Sequence, residues 1–108
     1  MKLAFLGAGN MAGAMIQSIL AADVLKGDEI LLVNARNPAH GKETAARLGI
    51  TAAEPAALRM ADAIVFAMKP QDFSAAAAMY RSYLENQLVL SIMAGISFKK
   101  LEKELGAL

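Results

Sequence analysis

The sequence predicts an α/β domain, a doubly wound parallel sheet with helices on both faces and three layers in all. Three observations carry this. Short apolar runs alternate with longer helical stretches along all 108 residues. The first run ends in a glycine-rich corner, Gly7-Ala8-Gly9-Asn10-Met11-Ala12. Apolar residues then recur at helical spacing as Met11, Met15, Ile16, Ile19 and Leu20.

Leu3 to Leu6 is too brief for a helix and is stopped by glycine, so it reads as the first strand. The first helix runs from Asn10 to Ala22 or Leu25, and Lys26-Gly27-Asp28 turns the chain. Glu29 to Val33 is the second strand, apolar from Ile30 on, as expected of a parallel strand buried on both faces. A loop, Asn34 to Pro38, leads to a second helix over Ala39 to Leu48, with Gly49 as its stop. Ile50 to Ala52 makes a brief third strand. Glu54 to Met60 makes a short helix, with Pro55 near its first turn. Ala63 to Ala67 is the central fourth strand. Lys69 to Asp72 opens a helix that ends near Leu84, and Leu88 to Ile92 is the fifth strand. Ser97 caps a last helix, Phe98 to Leu105, with Phe98, Leu101 and Leu105 on one face. Right-handed crossovers then give the strand order 3-2-1-4-5.

Composition narrows the function. A chain of this length makes one domain with a modest core. The net charge of +1 gives no argument for nucleic acid or an anionic membrane as partner. There are no cysteines, which removes disulfides and thiolate metal sites. The single histidine, His40, is expected to be a solvated loop residue. No apolar run approaches a membrane span, and the apolar start is cut short by Gly7 and Asn10, so a soluble cytoplasmic protein is expected. Hydrophobic residues make up 56% of the chain, above the usual range, which also suits a surface meant to be covered.

The glycine corner follows a strand and opens a helix, the setting of the dinucleotide-binding fingerprint of Rossmann-like domains. Gly7 permits the tight turn, Gly9 admits a diphosphate, and Ala12 stands third in G-x-G-x-x-A. The free N–H groups of the helix start favour an anion. In such sheets the ligand lies beyond the carboxyl ends of the strands. An NAD site usually carries Asp or Glu at the end of strand two, to hold the ribose 2′-hydroxyl. Here Asn34, Ala35, Arg36 and Asn37 stand there instead. Arg36 can pair with a 2′-phosphate through two parallel N–H bonds, so NADP(H) is the expected cofactor. Lys69, held extended before Pro70, either reaches a ribose or phosphate or is simply solvated. Asp62, Glu54 and Asp72 are expected to cap helix ends. No Ser-His-Asp set, Cys-His set or metal-spaced cluster occurs, so no catalytic or metal residue is assigned.

These loops together resemble pyrroline-5-carboxylate reductase. The matching stretches are Phe5 to Ala12, Ala67-Met68-Lys69-Pro70-Gln71 and Leu90 to Ile96. The resemblance covers essentially the whole chain but only the amino-terminal, cofactor-binding part of that family. It implies NADPH-dependent reduction of the C=N bond of 1-pyrroline-5-carboxylate to proline. It also implies cofactor contacts from Leu6, Gly7, Ala8, Gly9, Asn10, Met11 and Ala12 to the diphosphate, and from Asn34, Arg36 and Asn37 to the adenosine end. Ala67, Met68, Lys69 and Pro70, with Met93, Ala94 and Gly95, would line the ribose and nicotinamide. The substrate domain of the family has no counterpart before Leu108, so these residues alone are expected to bind cofactor without turning over a small-molecule substrate. An F420-dependent NADP oxidoreductase and a non-catalytic NADP-binding module are the other readings.

The fifth strand is apolar, uncharged and free of proline, none of the usual protections of a sheet edge. Self-association to a homo-oligomer, most simply a two-fold dimer, is therefore expected through that edge or through a poorly covered face of the last helix.

Overall fold

The computed structural model describes residues 1–7, 9–93, 95 and 97–105, without the side chains of Asn10 and Phe98. Its five strands are β1 (Leu3–Leu6), β2 (Ile30–Val33), β3 (Thr51–Ala53), β4 (Ala63–Phe66) and β5 (Leu88–Ser91). They form one sheet in the order β3-β2-β1-β4-β5. All four pairings are parallel. Leu6 lies opposite both Val33 and Phe66, so the three central strands end level and their following loops share one edge.

The α-helices are α1 (Asn10–Ala21), α2 (Pro38–Leu48), α3 (Phe73–Tyr80) and α4 (Phe98–Leu105). Strand side chains alternate between two apolar layers. Leu3, Phe5, Leu32 and Val65 pack with Ala12 and Ile16 of α1 and Ala45 and Leu48 of α2. Ala4, Leu6, Val33, Ile64 and Phe66 pack with Phe73, Ala77 and Tyr80 of α3 and with Leu101 and Leu105 of α4. Phe66 and Phe73 meet edge to face, with centroids 5.5 Å apart, a favoured aromatic geometry.

Several boundaries differ from those read in the sequence. Helix α1 stops at Ala21 because Asp23 takes a left-handed conformation (φ 57°) and Val24 N–H returns to the Ile19 carbonyl. Strand β3 starts one residue late because Ile50 N–H is engaged by the Ala45 carbonyl in closing α2. The helix expected over 54–60 is a 3-10 helix, Pro55–Met60. The segment after β4 is not one helix. A 3-10 turn, Pro70–Asp72, precedes α3, and a second one, Arg81–Tyr83, follows it.

Capping by carboxylates is also corrected. Glu54 and Asp72 occupy N-cap positions without a side-chain bond, and Asp62 Oδ2 accepts the Lys2 N–H at 2.7 Å. Glu29 accepts the Lys26 N–H at 2.9 Å and lies 3.6 Å from the N-terminal ammonium. The Lys26 bond is the larger cause holding its carboxyl below the usual value. Its stabilising contribution is thus present above the ordinary glutamate pKa and fades as pH falls through the lowered one.

The cap on the last helix is as expected, with Lys100 N–H donating to Ser97 Oγ at 3.1 Å. Two residues of its apolar face are covered, Leu101 and Leu105 being only 9% and 6% exposed, while the Phe98 side chain lies outside the described residues. On the edge strand β5, Leu88 and Leu90 are 60% and 44% exposed.

Candidate functional site

Beyond the level ends of β1, β2 and β4 lies a cleft of about 720 Å³. The loops after these three strands supply Gly7 and Gly9, then Asn34, Arg36 and Asn37, then Ala67, Met68 and Lys69. Three separated sequence stretches thus meet in one cavity, at the switch point where chain direction from β1 divides.

The β1 corner is shaped by Gly7. Its φ is +101°, and a Cβ there would lie 3.2 Å from the backbone of Ala67 and Met68. The corner is held by Gly7 N–H to the Val33 carbonyl (3.3 Å) and Ala67 N–H to the Leu6 carbonyl (2.9 Å). Gly9 differs. It is the N-cap of α1 with ordinary extended backbone and gives no side-chain cap. A Cβ built on it meets nothing within 4 Å, so protein atoms do not require glycine here. The uncapped first-turn N–H groups of α1 and that open space together suit an anion.

The β2 loop is set by its own side chains. Asn34 Oδ1 accepts the Asn37 N–H (3.3 Å), and Asn37 Oδ1 accepts the His40 N–H (3.2 Å), capping α2. Both amide oxygens are engaged, which leaves the amide NH2 groups as the remaining polar ends. The Tyr80 hydroxyl accepts the Ala35 N–H at 3.1 Å and pins the loop to α3. Arg36 projects from this loop, its side chain 64% exposed, with Nη1 3.0 Å from Asp72 Oδ1.

Other expected residues lie elsewhere. Leu6 and Ala12 are buried in the two core layers, and Met11 is 60% exposed. Pro70 opens the turn after β4, outside the cleft lining. Met93 is buried against the α3 layer and Gly95 is exposed; neither lines the cleft. Ala8, Ala94 and Ile96 lie outside the described residues.

The sequence reading missed one wall. Asp72, Ala75, Ala76, Met79 and Tyr80 line the cleft from the start and body of α3. Their spacing of three and four residues is a helical stripe, a signal hidden by the alanine-rich run. His40 also lines the cleft and belongs to the first turn of α2, not to a loop, though it is exposed as expected. Among the described residues no group of His, Cys, Asp and Glu could hold a metal, and no helix is long and apolar enough to cross a membrane.

Comparison with known proteins agrees with this geometry. The family model described as NADP oxidoreductase, coenzyme F420-dependent, matches residues 2–95. A pyrroline-5-carboxylate reductase of Staphylococcus saprophyticus is 34% identical over 99% of this chain and 41% of its own length. Pyrroline-5-carboxylate reductase 1 of Bacillus subtilis is 36% identical over 96% of this chain and 36% of its own. The chain thus spans well under half the length of these curated relatives. The crystal structure of Plasmodium falciparum pyrroline carboxylate reductase with NADP bound superposes with a TM-score of 0.81. Its identity is 25%, covering 98% of this chain and 38% of that one. By its fold, its glycine corner and this match, the chain belongs to the family of NADP oxidoreductases described as coenzyme F420-dependent, and it is an NADP-binding domain of that family.

Proposed function

We propose that the chain is the cofactor-binding domain of a pyrroline-5-carboxylate reductase, an NADPH-dependent enzyme that forms proline from 1-pyrroline-5-carboxylate. The observation that carries it is the cleft itself. An open glycine corner at the start of α1 faces, across one cavity, a β2 loop that offers Arg36 where an NAD site carries an acid. Similarity to the Staphylococcus and Bacillus reductases supports the choice of substrate.

In this reading the first-turn N–H groups of α1 hold the diphosphate, with Gly9 leaving it room. Arg36 meets the 2′-phosphate, and the amide groups of Asn34 and Asn37 bound the adenosine end. Lys69 lies within the cleft lining, where its ammonium adds positive charge near the ribose. The cofactor, when bound, supplies a hydride to the imine carbon. Residues 1–108 hold the cofactor, while the substrate is oriented by a part of the enzyme outside them. Orientation of both reactants supplies much of the rate in such a transfer, so this chain alone is inactive.

Calorimetry with NADPH and NADH tests the cofactor assignment. NADPH is expected to bind about tenfold or more tightly, because a charge-assisted contact contributes about 1.5–3 kcal/mol. Arg36→Asp is expected to erase or reverse that preference, and equal affinities in the parent chain refute the assignment. The substrate assignment is tested by NADPH oxidation with 1-pyrroline-5-carboxylate. The full reading frame is expected to turn over and the 108-residue chain is not. A full-length protein that instead reduces NADP with reduced coenzyme F420 favours the reading suggested by the family description.

A further inference from the structure

Arg36, the cation assigned to the 2′-phosphate, already has a partner. Its Nη1 lies 3.0 Å from Oδ1 of Asp72, and both residues line the same cleft. Asp72 comes from a different loop, the turn after β4, 36 positions along the chain from Arg36. It occupies the N-cap position of α3, yet its carboxylate makes no capping bond and is turned to the guanidinium instead. Among the described residues lining the cleft it is the one carboxylate, set against Arg36 and Lys69.

We infer that Asp72 is a specificity-determining residue, which competes with the cofactor's 2′-phosphate for Arg36 and so lowers the preference for NADP(H) over NAD(H). The inference rests on the cofactor assignment made above. A phosphate arriving at Arg36 must share or displace a carboxylate already bonded to it, and it meets that carboxylate's negative charge. A ribose bearing only a 2′-hydroxyl makes no such demand, and the Arg36–Asp72 pair stays intact beside it. Asp72 thus brings a negative charge to Arg36 from the loop after strand four. It acts on the arginine and sets a ceiling on discrimination rather than abolishing it.

The test is Asp72→Asn, which removes the charge, keeps the shape and remains a good N-cap residue for α3. Calorimetry with NADP+ and NAD+ is run on the 108-residue parent, on Asp72→Asn, on Arg36→Gln and on the double variant. Asp72→Glu, which keeps the charge, is the control if Asp72→Asn folds poorly. It is expected to bind NADP+ no tighter than the parent. Asp72→Asn is expected to tighten NADP+ by about two- to fivefold, the range of an exposed ion pair. It is expected to leave NAD+ unchanged and to give a smaller gain when Arg36→Gln is already present.

Unchanged or weaker NADP+ binding by Asp72→Asn overturns the inference, since the pair would then be neutral or would pre-organise Arg36. So does equal tightening of both cofactors, or a gain of the same size without Arg36. These results leave the cofactor assignment standing. A parent chain that binds no NADP+ overturns that assignment, and this inference with it.

Discussion

Gly9→Val is expected to abolish NADPH binding while leaving the fold intact. The reason lies in what surrounds the residue. Its φ of −82° and ψ of −178° are open to any amino acid, and an added Cβ touches nothing within 4 Å. The space a valine side chain would fill is the space above the first turn of α1, where a diphosphate would sit. At a cofactor concentration of a hundred times Kd, binding stabilises the parent by about 2.7 kcal/mol, a rise of about 10 °C or more in Tm for a domain of this size. Gly9→Val is expected to melt within about 2 °C of the parent without cofactor, and to gain nothing from NADPH. Gly7→Val is the contrasting case. There φ is +101°, and the added atoms crowd the backbone of Ala67 and Met68 at 3.2 Å. Strain of about 1–3 kcal/mol is expected before any cofactor is added, so stability and binding fall together. A Gly9→Val chain that keeps the NADPH-induced shift would show that the corner is a structural turn only.

The two glycines also show where sequence reading succeeds and where it stops. The motif placed both at the corner, and the strand order followed from alternation of short apolar runs with helices. Local chemistry was legible as well, in Ser97 at the last helix and Gly49 at the end of α2, where φ is 76°. What could not be read were contacts set by the third dimension. In sequence Asp72 reads as a helix cap because its neighbours along the chain invite that role. Its partner Arg36 reaches it only because β2 and β4 flank β1 and end level. Tyr80 is a similar case, since its hydroxyl meets the Ala35 N–H across the sheet edge. Met93 sits in a motif stretch that points to the cofactor, while its side chain is buried in the α3 layer. A motif fixes which loop is near a ligand, while the direction of each side chain depends on packing. The same limit applies to the last helix. Its amphipathic face was legible, but the α3 layer that buries Leu101 and Leu105 was not.

Among the described glycines, Gly27→Ala is expected to be the most damaging change to alanine, at about 2–3 kcal/mol or a fall of about 10 °C or more in Tm. In sequence Gly27 looks like any turn glycine between α1 and β2. In space the turn packs against the one that joins α2 to β3. A Cβ on Gly27 would collide with the carbonyl oxygen of Gly49 and would also crowd the Gly49 carbonyl carbon at 3.3 Å. Both neighbours are backbone, so no flexible side chain can give way. Relief requires the two turns to separate. The Gly49 turn is fixed on its own side by the Ile50 N–H bond to the Ala45 carbonyl, at 3.0 Å. Gly13→Ala serves as the control. That glycine lies within α1, and a Cβ there meets nothing within 4 Å. Alanine should therefore stabilise it by about 0.5–1 kcal/mol through helix propensity. Urea unfolding of the two variants beside the parent should thus give opposite signs. The collision lies at the amino-terminal end of β2, remote from the cleft beyond the carboxyl ends. The folded fraction of Gly27→Ala should therefore bind NADPH with the parent's Kd, the converse of Gly9→Val. A Gly27→Ala chain within about 0.5 kcal/mol of the parent would show that the two turns part freely and that their contact holds nothing together.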